Sequence, residues 1–157
     1  MRFSLTAALV LPLLVGCTPP SQSASGGGDS AGAAPSQGAQ QVTVELVPGT
    51  AVNSVGSEQP STAQGAAGGA VVRGTMSTPT PCHRLSGTVQ RAGETVTLTI
   101  SAAADPDAMC VQAIGAIPYT ATVRGLPAGS YALRVLHTYP GTGWPTATAL
   151  DTRVTAR

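Results

Sequence analysis

Apolar and polar residues alternate along most of the second half of this chain, and the alternation has a period of two. Leu85, Gly87 and Val89 point one way while Arg84, Ser86, Thr88 and Gln90 point the other. After a tight connection at Arg91-Ala92-Gly93, Val96, Leu98 and Ile100 alternate with Thr95, Thr97, Thr99 and Ser101. Such a pattern places one face of each strand in a core, and the short Gly-containing link makes the two runs a hairpin. Cys110–Ile114 and Tyr119–Val123 are strand-like, with Gly115 and Pro118 interrupting them. Tyr131, Leu133, Val135 and His137 alternate with Ala132, Arg134, Leu136 and Thr138, and a last strand is predicted from Thr146 to Thr155. No 3.6-residue apolar stripe follows the N-terminal segment. About seven short strands separated by turns predict an all-β domain over residues 70–157, an antiparallel sandwich or small barrel.

The first half of the chain is patterned differently. Phe3 to Val15 is mostly apolar and follows Met1-Arg2. That run is shorter than the roughly 20 residues of a membrane span and fits the h-region of an export signal. From Thr18 to about Gln40 the chain is Pro, Ser, Gly, Ala and Gln with one charge, Asp29. Burial of such residues does not offset the entropy of ordering them, so a disordered tether is expected, holding the domain roughly 25–30 Å from its start. Within residues 41–69, Val42-Thr43-Val44-Glu45-Leu46 alternates as a possible first strand, and Val55–Gly69 reads as a flexible Gly/Ala/Ser segment.

Two short stretches carry resemblances. Leu14-Val15-Gly16-Cys17 resembles the lipobox of bacterial lipoproteins. That resemblance implies cleavage after residue 16, acylation of Cys17 and a lipid anchor in the cell envelope. Thr18 follows the cysteine, where Asp favours inner-membrane retention in some Gram-negative bacteria, so an outer membrane is the implied destination if the organism has one. Gly125-Leu126-Pro127-Ala128-Gly129-Ser130-Tyr131 is similar to the corner that leads into a late strand of fibronectin-like, transthyretin-like and other immunoglobulin-like modules. It implies an immunoglobulin-like β-sandwich in which the Tyr ring packs at the core edge and its hydroxyl bonds to backbone.

Composition narrows function mainly by exclusion. All eight basic residues are Arg, and cleavage would leave seven of them against seven acids. That balance argues against nucleic acid and against a polybasic membrane patch. With Cys17 acylated, Cys82 and Cys110 remain, and an even pair in an exported domain is read as a disulfide. Closing a separation of 28 residues stabilises by about 3.6 kcal/mol on the chain-entropy model.

Chemistry-bearing clusters are sparse. Met76, Cys82, His83, Met109, Cys110 and His137 invite a copper or zinc reading, yet no late loop gathers Cys, His and Met, and no metal or cofactor is expected. Asp105-Pro106-Asp107 reads as a surface turn that offers too few oxygens for calcium. Gly-x-Ser-x-Gly, Ser-x-x-Lys and His-Glu-x-x-His are all absent, so a non-catalytic protein is expected. Tyr139-Pro140-Gly141-Thr142-Gly143-Trp144-Pro145 is the most distinctive loop and holds the sole Trp. A structural or protein-binding role in the envelope is expected, with Tyr139 and Trp144 as candidate anchors for an envelope protein partner, against the alternative of a Trp folded back over the end of the sandwich. A Trp-Pro loop element also occurs in chagasin-like protease inhibitors, which adds a ligand- or protease-binding alternative.

Overall fold

A computed structural model describes residues 41–53 and 59–157. The lipobox with Cys17, the export signal and the tether lie outside the described residues. Among the described residues nine strands follow one another: β1 (Thr43–Pro48), β2 (Val52–Asn53), β3 (Thr62–Ala66), β4 (Gly69–Thr78), β5 (His83–Ala92), β6 (Thr95–Ala104), β7 (Gly115–Arg124), β8 (Gly129–Thr138) and β9 (Ala147–Ala156). They form two sheets. Sheet A has the order β1-β7-β4-β3, with β2 also on β7, and sheet B has the order β5-β6-β8-β9. No helix interrupts them among the described residues, so the domain is an all-β sandwich.

The predicted hairpin is present as β5 and β6, paired from His83↔Ala104 to Ala92↔Thr95. Its turn falls one residue later than the sequence suggested, where Gly93 takes a left-handed φ of 61°. Val96, Leu98, Ile100 and Ala102 are fully buried, as are Leu133 and Val135 on β8. They face Ala70, Val72 and Met76 of β4 and Ala121 and Val123 of β7 across a single core.

Three features depart from the sequence reading. The strands number nine rather than about seven, because the 41–69 segment supplies β1, β2 and β3. Val44 and Leu46 of the first of these, with Val42 just before it, pack on the core, and β3 forms a hairpin with β4 around Gly68, whose φ is 65°. The pairing is also not antiparallel throughout: β6 and β8 run parallel, Val96 beside Leu133 and Leu98 beside Val135. Between these two strands the chain crosses to sheet A as β7, which returns β8 in the same direction as β6. Finally, Cys110–Ile114 is loop, and β7 begins only at Gly115.

Pro118 sits inside β7 between two neighbours, although proline donates no ladder hydrogen bond. Its carbonyl accepts from Gly49 N–H at 2.7 Å, so its nitrogen faces the same side. There the chain leaves the ladder between β1 and β2, and no acceptor is left wanting a donor.

The two sheets meet along β3 and β9. Gly68 N–H donates to the Arg157 carbonyl at 2.7 Å, and Arg157 N–H donates to the Ala66 carbonyl at 3.0 Å. A Cβ at Gly65 would fall on the Thr155 carbonyl, which explains glycine there. The corner before β8 behaves as its resemblance implied. Leu126 and Tyr131 are buried, and the Tyr131 hydroxyl donates to the Pro127 carbonyl at 2.9 Å. Arg91 covers the outer side of that ring, 5.2 Å from its centroid.

Candidate functional site: a paired cleft and an aromatic loop

Cys82 and Cys110 are joined as a disulfide, with their Cα atoms 5.9 Å apart. The bridge ties the start of β5 to the 105–114 loop, not to a strand. Asp105 reinforces it: its N–H donates to the Cys82 carbonyl at 3.0 Å, and Arg84 reaches its carboxylate at 2.7 Å. Asp105 also accepts from Asp107 N–H at 3.2 Å, the Asp-started turn expected from the sequence. The Arg84 side-chain hydrogen bond, then the Asp107 N–H, hold the Asp105 carboxyl below the usual carboxylate range.

His83 is buried beside this corner, its Nδ1 2.9 Å from the Thr80 carbonyl. Its Nε2 is buried without a partner. With both cysteines oxidised, no group of three or more His, Cys, Asp or Glu able to hold a metal occurs among the described residues.

At the other end of β8 lies the aromatic loop. Gly141 adopts a left-handed φ of 76°, and Thr142 ties the turn by donating both its N–H (3.2 Å) and its hydroxyl (2.9 Å) to the Tyr139 carbonyl. The same hydroxyl accepts from Trp144 N–H at 3.1 Å. Tyr139 packs against the core. Trp144 meets Tyr139 edge-on, with centroids 5.3 Å apart and planes at 65°, and remains 36% exposed. The end of the sandwich is therefore covered by Tyr139, with Trp144 standing on the outside of it.

A cleft of about 310 Å³ opens beside this loop, lined by Pro60, Ser61, Ser77, His137, Tyr139 and Thr148 among others. A second, of about 500 Å³, lies on the far side of Gln59 and Pro60, which line both. Beneath them runs a buried polar chain. The Tyr119 hydroxyl is hydrogen-bonded to His137 Nε2 at 2.9 Å and lies 3.5 Å from Ser61 Oγ. The Tyr119 and His137 rings meet edge-to-face. Burial pushes the Tyr119 phenol above its ordinary value, so it is neutral at physiological pH. Gly74 makes this chain possible, since a Cβ there would stand 2.5 Å from Ser61 Oγ and 2.7 Å from the Tyr119 hydroxyl.

Sequence reasoning singled out Tyr139, Trp144 and the two cysteines, and it read His137 as a strand-face residue. It missed Tyr119, Ser61 and the clefts. The available signal was weak: Tyr119 and His137 occupy inward positions of β7 and β8, where a chain poor in large aromatics places two polar-tipped rings.

The class of protein is thus a disulfide-clipped β-sandwich domain with a polar interior at one end. Residues 70–142 match the model of a family described as ORF11 beta-sandwich domain. The match runs from β4 through β8 into the Tyr139 loop. No curated protein and no solved structure matches the chain.

Proposed function

We propose that this protein is a lipid-anchored component of a bacterial cell envelope whose non-catalytic β-sandwich binds another envelope protein through the Tyr139–Trp144 loop. The anchor rests on Leu14-Val15-Gly16-Cys17, and a disulfide between Cys82 and Cys110 suits the oxidising space that such a lipobox leads to. The observation that carries the binding reading is Trp144: an indole held in a fixed turn, backed by Tyr139 and left exposed beside a cleft. A rigid aromatic at a loop tip loses little entropy on docking and offers a large apolar contact, as interface anchors do. The state of the candidate reactive groups supports a non-catalytic role. The cysteines are bonded to each other, and Tyr119 and His137 are buried against one another.

Pull-down from native envelopes tests this reading. The full chain should capture a specific protein and lose it on Trp144→Ala, a truncation that costs about 2 kcal/mol or more at an interface anchor. Retention by the variant would refute the loop as the contact. Cys17→Ala should abolish labelling by palmitate. A second reading, a ligand- or protease-binding module using Pro140–Pro145, is favoured by the Trp144-Pro145 element in the loop that follows Tyr139, itself a wall of the smaller cleft, and inhibition of a panel cysteine protease would distinguish it.

A further inference from the structure

We infer that the larger cleft, on the outer face of sheet A, is a recognition site for a single carboxylate carried on a peptide. Arg73 is its centre. Cross-strand register places Thr62 directly on one side of Arg73 and Thr120 directly on the other, with Val47 opposite Thr120 on the next strand. Thr75 lies two residues along β4 on the same face and also lines the cleft. Directly opposed residues have Cβ atoms about 4.5–5.5 Å apart, so a threonine side chain flanks Arg73 on each neighbouring strand.

Arg73 on β4, like Arg153 on β9, differs from the other strand arginines of the described residues. Arg84, Arg124 and Arg134 each hold a carboxylate, at 2.7, 3.0 and 3.0 Å, and Arg91 covers Tyr131. Among the described residues Arg73 has no such partner, and no Asp or Glu lines its cleft. An exposed guanidinium flanked by threonine side chains, with no acid among the described residues that line its cleft, is complementary to an external anion. One fixed positive charge suits the single charge of a carboxylate better than a phosphate dianion. Pro48, Pro60 and Pro118 supply rigid apolar walls for the chain that carries it. This site is independent of Trp144.

Nuclear magnetic resonance titration of the isotope-labelled full chain in detergent micelles tests the inference. The probes are N-acetyl-trialanine with a free C-terminal carboxylate, the same peptide as its C-terminal amide, and inorganic phosphate. The free acid should shift the Thr62, Arg73 and Thr120 signals saturably, with the amide binding about tenfold more weakly, as loss of a charged hydrogen bond implies. Arg73→Gln should weaken the free acid by about the same factor and leave the thermal midpoint unchanged, because the side chain is exposed. Trp144→Ala should leave the titration as it was. Equal binding of acid and amide, or binding that survives Arg73→Gln, would overturn the proposal. Displacement of the peptide by phosphate, or loss of binding in Trp144→Ala, would overturn it as well.

Discussion

Sheet B turns mainly Val, Leu and Ile inward along β6 and β8, whereas sheet A mixes Val72, Met76, Ile117 and Val123 with small residues and with Tyr119 of the polar cluster. On β6 and β8 the buried positions are Val96, Leu98, Ile100, Leu133 and Val135. On the strands of sheet A, Ala70, Ala121, Tyr119 and Thr78 share the buried positions with Val72, Met76, Ile117 and Val123, and Gly65, Gly69 and Gly74 stand at points of close approach. Two routes to cohesion follow. Sheet B gains from the apolar area it removes from water, while sheet A brings backbone close to backbone and satisfies polar groups beneath the clefts.

The sharpest way to break that contrast is truncation in sheet B. Leu133→Ala, at a side chain with no exposure, should cost roughly 2–5 kcal/mol in denaturant unfolding through lost burial and a cavity. A cost below about 1 kcal/mol would mean that the core collapses around the gap and that sheet B does not depend on this packing. Gly65→Ala asks the corresponding question of sheet A. The added methyl would overlap the Thr155 carbonyl, so β3 must part from β9 at a cost of roughly 1–3 kcal/mol. Hydrogen exchange at Gly68 and Arg157 should accelerate with it, and unchanged protection there would sink the view that these strands close the sandwich.

The smallest effect concerns the polar cluster. The Tyr119 phenol is raised from 10.0 by burial, so the unfolded chain loses this proton at lower pH than the folded one. Its contribution is therefore complete below pH 10 and declines as pH rises from there through the folded value. Tyr119→Phe should remove that alkaline decline. It should also destabilise at neutral pH by about 1–3 kcal/mol, because His137 Nε2 loses its partner in a buried site. Unfolding curves for both proteins, taken across the alkaline range, check the sign.

The same contrast explains what could be read in the chain. The β5–β6 hairpin and β8 were legible because period-two alternation of Val, Leu and Ile against Thr and Arg has a single low-energy arrangement. β3 was not: Thr-Ala-Gln-Gly-Ala carries almost no apolar signal, and it is a strand because β4 and the C-terminal residue supply partners for its backbone. Cys110–Ile114 misled in the opposite sense. Its residues suit a strand, yet Cys82 and Asp105 hold the segment in a loop, with Met109, Val111 and Ile114 exposed. The aromatic loop was visible from Gly, Pro and Trp in one short stretch. The clefts beside it were not, because Gln59, Arg73, Tyr119 and His137 come from four separate segments.

What the sequence determined by itself was therefore local: alternation, turn chemistry, an even cysteine pair and a corner that places Tyr131. Those signals act over a few residues, and each strand's buried face follows from its own pattern. Only the tertiary structure decided which strands are neighbours, that β6 and β8 run parallel, and that Tyr119 meets His137 beneath two clefts. Backbone hydrogen bonds between strands are the same for every residue type, so partner choice depends on how distant faces fit together.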